Sequence, residues 1–177
     1  TPSDRILVIG TGLSMADVVV TLTARGHTGK ITAISRRGQR SHGHAAHAVD
    51  PVGQFVSPPS RTVVHLLRRV RHVLAAHPDQ PWQAVIDRLR EQAPDIWAAL
   101  SLPERRRLIR HLRPFWDTHR FRIAPQAEDV LHARERAGTL DIVAGRLTAV
   151  QVARGRFVTT IRHGAATVWD GTYDAII

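Results

Sequence analysis

Residues 5–38, RILVIGTGLSMADVVVTLTARGHTGKITAISRRG, decide the fold. Arg5-Ile6-Leu7-Val8-Ile9 is a short apolar run after its first residue. That is the pattern of a strand buried on both faces, as in a parallel sheet. Gly10-Thr11-Gly12 interrupts it. From Leu13 to Arg25, apolar residues at 15, 16, 18, 19, 20, 22 and 24 fill a segment of helical length, and Gly26 follows as a natural C-cap. Gly29 turns the chain into Lys30–Ser35, KITAIS, a second strand. Strand, glycine turn, helix and strand within about 30 residues make one βαβ unit, with parallel strands and a right-handed crossover.

The turn predicts a ligand. Gly10-Thr11-Gly12-Leu13-Ser14-Met15 is a G-x-G-x-x-x sequence between a strand and a helix. The first glycine permits a tight turn. The second has no Cβ, so a pyrophosphate can approach the backbone, and the helix N-terminus behind it offers unpaired N–H groups and a positive dipole end. Met15 stands where the usual fingerprint has its third glycine, a position that governs helix–strand packing more than phosphate contact. The end of the second strand selects the dinucleotide. NAD and FAD sites place Asp or Glu there to bond the ribose hydroxyls. This chain has Ser35-Arg36-Arg37, and no acid lies between Asp17 and Asp50. Guanidinium groups would hold the 2′-phosphate of NADP(H), which a carboxylate would repel. Arg36 could also stack on the adenine, and Arg40 is within reach of the same loop. The candidate cofactor-binding residues are therefore Gly10, Thr11, Gly12, Leu13, Ser14, Ser35, Arg36, Arg37 and Arg40. The missing acid argues against S-adenosylmethionine.

Past the second strand, residues 36–60 are rich in Gly and Pro and read as irregular. A helix is expected from Ser60, another from Pro81 to about residue 92, and a third from Pro103 to Arg113 with Ser101 as a possible cap. Such a stretch is too long for an ordinary connection. Pro125–Ala137 reads as a further helix closed by Gly138, and Leu140–Ala144 as a third core strand. Arg146–Ala153, Arg156–His163 and Ala166–Trp169, with turns at Gly155 and Gly164, fit an antiparallel meander. Tyr173–Ile177 is apolar again. The expected fold is α/β: a Rossmann-like three-layer domain with a small parallel sheet, a helical insertion after the second strand and an antiparallel β-meander. Residues 1–177 would form one nucleotide-binding domain, with the insertion over 41–124.

Composition narrows the function. The chain has 177 residues, 43% of them hydrophobic, enough for one domain with a core. No run approaches the roughly 20 apolar residues of a membrane helix, and no signal peptide opens the chain. A cytoplasmic location and no membrane partner are expected. The lack of an initiator Met and the strand starting at Arg5 point to an excised fragment. There is no cysteine, which excludes disulfides, thiolate metal sites and a cysteine nucleophile within these residues. Lys and Arg number 25 against 15 Asp and Glu, a formal charge of +10, which suits a phosphate-bearing partner. Aromatics are only 5%, and no nucleic-acid-binding signature is present, so nucleic acid is not the expected partner.

With those residues in hand, GTGLSMADVV (10–19) and ISRRG (34–38) resemble the second, nicotinamide-binding motif of two-dinucleotide-domain flavoproteins. These include flavin-containing monooxygenases, amino-acid N-hydroxylases and thioredoxin reductases. Gly10, Gly12, Ser14, Ala16 and Asp17 fall on the monooxygenase-like pattern; the arginine pair resembles the thioredoxin-reductase pattern for NADPH. LRPFWDTHRFRIAP (112–125) is similar to a segment of a bacterial group of FAD/NAD(P)-binding proteins. Trp169–Ile177 looks like the strand by which such chains return to their FAD domain. The resemblance implies a FAD-dependent oxidoreductase, with a monooxygenase among the options, whose FAD domain lies outside these residues and whose NADPH passes hydride to the flavin. No catalytic acid or base is implied here.

Two other functions fit the sequence. One is a non-catalytic NADP-binding scaffold or sensor module. The other is a basic nucleic-acid-binding protein whose glycine turn is incidental. His42, His44 and His47, near Asp50, have a spacing that could hold a metal, but loop histidines facing cofactor or solvent are the preferred reading, and no metal is expected. Trp116, Asp117, His119, Arg120 and Arg122 read as an amphipathic helix end docking on the missing domain, or alternatively as contacts to the nicotinamide. Arg105-Arg106-Arg107 reads as a solvated helix face. No G-x-S-x-G elbow supports a serine hydrolase.

Overall fold

The computed structural model describes residues 1–164 and 167–177, with Thr167 as backbone only. The chain divides into two compact units. The first comprises residues 1–43 and 121–177, the second residues 44–120.

The first unit is built on a parallel sheet of β1 (Ile6–Ile9), β2 (Ile31–Ser35), β3 (Leu140–Ala144) and β7 (Ala175–Ile176), in the order β3-β2-β1-β7. Ile6 pairs with Ile31 and with Ala175; Ser35 pairs with Ala144. The apolar runs of β1 and β2 serve both faces of the sheet, because successive side chains point to opposite sides. Ile6, Val8, Ile31 and Ala33 pack with Met15, Ala16 and Val19 of α1 (Leu13–Ala24) and Leu131 of α7 (Pro125–Arg136). Leu7 and Ile34 pack with Ile161 and Tyr173 of the meander. The three layers are therefore helices, parallel sheet and antiparallel sheet.

Both helices stop in the same way. Gly26 N–H donates to Thr23 O and His27 N–H to Leu22 O, each at 3.0 Å; Gly138 and Thr139 repeat the pattern at Glu135 and Arg134. These reversed end bonds satisfy carbonyls that the helix leaves unpaired. Arg134, 6% exposed, ties the helices together. Its guanidinium donates to His27 O (2.7 Å), Gly29 O (2.6 Å) and Thr23 Oγ1 (3.2 Å). Burial lowers its pKa, yet an arginine keeps its charge at neutral pH.

The meander is β4 (Arg146–Ala153), β5 (Arg156–His163) and β6 (Thr167–Tyr173), paired in that order. β4 and β5 follow the sequence expectation. β6 runs to Tyr173, four residues beyond Trp169; Ala166, part of the expected strand, lies outside the described residues. Asp174 then turns the chain into β7. Its carboxylate accepts from Arg5 N–H (2.8 Å) and pairs with Arg156 (2.7 Å), while its own N–H donates to Arg5 O (2.8 Å).

The second unit holds α2 (Val63–Ala76), α3 (Trp82–Glu91), α4 (Ala93–Ala99), α5 (Leu102–His111) and α6 (Arg113–Arg120). Phe55, Leu66, Val85, Leu89 and Ile96 form its core. α2 begins at Val63 rather than at Ser60 and is capped by Thr62, whose hydroxyl accepts from His65 N–H at 3.2 Å. Ser101 occupies the cap position of α5 but makes no side-chain cap bond. α4 was not expected, and α6 places a helix over residues 113–120, where the sequence read as a helix end around Trp116. Pro94 and Pro114 lie in their first turns, where a missing N–H costs nothing, so each proline starts a helix in what read as one helix end or a loop. Among the described residues no helix is long and apolar enough to cross a membrane.

Candidate functional site

The glycine turn leaves β1 at the carboxyl end of the sheet. Gly10 has φ +120°, a conformation that a side chain strains, and its N–H donates to Ile34 O at 2.8 Å. Gly12 is different. Its φ is −89°, open to any residue, and a Cβ there would meet no heavy atom within 4 Å. Neither backbone strain nor packing within the described residues requires glycine at that position. Gly12, Leu13 and Ser14 are exposed at the start of α1, which has no side-chain cap and no acid in its first turn. The N–H groups of that turn have no partner within the helix. Met15, in the third-glycine position, is 3% exposed and packs in the helix-facing core.

The second half of the site is the turn at the end of β2. Gly38 N–H donates to Ser35 O (3.3 Å) and Ser35 Oγ (3.1 Å), closing a turn whose central residues, Arg36 and Arg37, are exposed. Gly145 N–H donates to Ser35 O at 2.7 Å. Gly38 has φ +60°, and a Cβ there would lie 2.6 Å from Ala144 N. The turn is thus pressed onto the end of β3. Thr11 joins the two halves: it is 5% exposed, and its hydroxyl is hydrogen-bonded to Ser35 Oγ at 2.8 Å and to the Gln39 carbonyl. Gly10–Ser14 and Ser35–Arg37 therefore lie side by side at one sheet edge. Arg40 is engaged elsewhere. Its side chain, 12% exposed, reaches Glu128 (3.5 Å) and Glu135 (3.4 Å) of α7.

Beside the arginine turn is a cavity of about 410 Å³ lined by Arg36, Ala144, Gly145, Arg146, Arg162, His163 and Gly164. Arg146 and Arg162 are directly opposite each other in the β4–β5 ladder. His163 Nδ1 is hydrogen-bonded to the Ala144 carbonyl. Sequence reading missed Arg146, Arg162 and His163 at this cavity. They lie more than 100 positions beyond Arg36, and only the packing of the meander on the sheet brings them there.

Several residues of the remaining polar clusters have structural partners, while His44 and His47 are exposed. His42 O accepts from Ile123 N–H at 3.0 Å, and among the described residues no group of three or more His, Asp or Glu could hold a metal. Trp116 packs against the core of the second unit, Asp117 pairs with Arg113 (3.4 Å), and the His119 ring meets Trp82 edge-on at 5.0 Å. Arg105 lies over the Trp97 ring at 5.2 Å, and Arg107 pairs with Glu104, whose carboxylate also accepts from Val63 N–H at 2.7 Å. Arg106 and Arg107 are exposed, as on a solvated helix face, while Arg105 is half-buried against Trp97.

A four-stranded parallel sheet with a glycine turn opening α1 makes this a Rossmann-like α/β domain. No protein-family model matches the chain, and no curated protein matches it. Among solved structures it is similar to the reduced form of an ornithine hydroxylase from Pseudomonas aeruginosa, at 16% identity and a TM-score of 0.49 over all of this chain and 35% of that one. A lysine monooxygenase from Nocardia farcinica is similar at 16% identity and a TM-score of 0.48, over 98% of this chain and 30% of that one. An ornithine N-hydroxylase from Kutzneria sp. 744 gives 16% identity and a TM-score of 0.43, over 99% and 35%. The chain spans about a third of the length of these proteins.

Proposed function

We propose that this chain is the NADP(H)-binding domain of a flavin-dependent oxidoreductase, in which NADPH passes hydride to a flavin held by another part of the protein. The observation that carries the reading is the buried Thr11 tether. It sets the glycine turn against a strand end that bears two exposed arginines and no acid.

The residues fit the group. Gly12 leaves room for close approach to the backbone, and the N–H groups of Gly12 to Ser14 would bind the pyrophosphate at the positive end of α1. Arg36 and Arg37 would hold the 2′-phosphate with charge-assisted bonds. Arg40, paired with Glu128 and Glu135 of α7, would support the loop from behind. NADPH supplies the hydride; the domain binds and orients it. No residue here is assigned to the flavin.

Calorimetric titration of the full-length protein with NADPH and NADH tests this. NADPH binds more tightly than NADH, and the preference disappears in Arg36→Ala/Arg37→Ala. Equal affinity for the two in the unaltered protein would overturn the 2′-phosphate assignment.

A further inference from the structure

The cavity beside the arginine turn draws its charge from two sheets. Arg36 comes from the end of β2, Arg146 from the start of β4, and Arg162 and His163 from the end of β5. Among the described residues no carboxylate lines it. Among the described residues Arg36, Arg146 and Arg162 enter no ion pair, whereas Arg40, Arg88, Arg107, Arg113 and Arg156 each do. Arg146 and Arg162 are also cross-strand partners. Like charges placed opposite each other destabilise a ladder. Two arginines directly opposite each other in the ladder, with a third lining the same cavity, form an arrangement that an anion would stabilise.

We propose that Arg146, Arg162 and His163 of the meander complete a phosphate-monoester subsite begun by Arg36, and that this subsite takes the 2′-phosphate of the dinucleotide. This rests on the NADP(H) reading above. It adds that specificity is set jointly by the parallel sheet and the meander. A phosphate monoester carries about −1.5 to −2 charges at neutral pH and three acceptor oxygens, enough to engage several guanidinium groups together. The bond from His163 to the Ala144 carbonyl anchors its ring at the rim. The close packing of Gly145, where a Cβ would meet Ile161 Cγ2 at 2.7 Å, keeps the end of β3 near the end of β5.

The test uses the full-length protein carrying Arg146→Gln or Arg162→Gln, titrated with NADPH, NADH, 2′,5′-ADP and 5′-AMP. Each substitution is expected to weaken NADPH and 2′,5′-ADP by about tenfold, the loss of one charge-assisted bond. NADH and 5′-AMP should change less than about twofold. Thermal melting without ligand should be unchanged or slightly raised, because a repulsive pair is relieved. Arg162→Lys should recover part of the loss. If both glutamine variants keep the NADPH preference while Arg36→Ala/Arg37→Ala loses it, the meander subsite is overturned and the dinucleotide reading stands. Equal weakening of phosphorylated and unphosphorylated ligands would also overturn the subsite. If the unaltered protein does not distinguish NADPH from NADH, both fall together.

Discussion

Gly12 and Asp174 show how much can turn on one residue. Gly12 has an unstrained backbone, and a Cβ would touch no heavy atom within 4 Å. Gly12→Ala should therefore leave the fold intact, changing stability by less than about 1 kcal/mol at a helix N-cap. Dinucleotide affinity should fall at least about tenfold, since the methyl would occupy the path of the pyrophosphate. Melting curves and titrations on the same sample separate the two effects. Gly10, at φ +120°, offers no such separation, because alanine there strains the backbone itself. Asp174 makes a prediction about acid. The Arg5 N–H bond, followed by the Arg156 side chain, holds its carboxyl below the usual carboxylate value. A depressed folded-state pKa contributes stability above the unfolded value and loses it as pH falls through the folded one. Wild type should be more stable than Asp174→Asn at neutral pH, and the difference should shrink below about pH 4 and vanish in stronger acid. Denaturant midpoints measured across that range check it.

At the scale of elements, the strands and helices that carry the site were legible because their signals are local. β3 falls on Leu140–Ala144 as the apolar run indicates, and Gly26 and Gly138 mark the ends of α1 and α7. Boundaries shifted where a cap or proline competes with periodicity. α2 starts at Val63 behind its Thr62 cap rather than at Ser60, and Pro94 and Pro114 lie in the first turns of α4 and α6. Arg134 was not legible. It reads as one more charge in a charged helix, yet it is buried and bonds two carbonyls and a hydroxyl from the end of α1 and the loop beyond. Arg134→Leu should cost about 2–5 kcal/mol, by leaving those acceptors unpaired in the interior. Chemical denaturation measures the loss, and dinucleotide affinity per folded molecule should hold.

Over the whole molecule, the two units have separate cores, one around α1 and the sheet, the other around Phe55. Phe55 is 1% exposed, and Phe55→Ala should cost its unit about 3–5 kcal/mol. Hydrogen exchange should then quicken across α2 and α3 while β1, β2 and β3 keep their protection. A uniform loss of protection would show that the units unfold as one.

By itself the sequence determined the βαβ unit, the glycine turn and the arginines that replace an acid at the end of β2. Each follows from neighbours within a few residues, through apolar runs, helical period and the absence of a Cβ. The tertiary structure alone decided which arginines line one cavity. Arg40 and Arg36 are four positions apart, yet one is bound to α7 and the other lines the cationic cavity. Arg146 and Arg162 are distant in the chain and arrive beside Arg36 only because Leu7 and Ile34 bury their face of the sheet against the meander. Local periodicity encodes which face of a strand is apolar; it does not encode which distant element will cover that face.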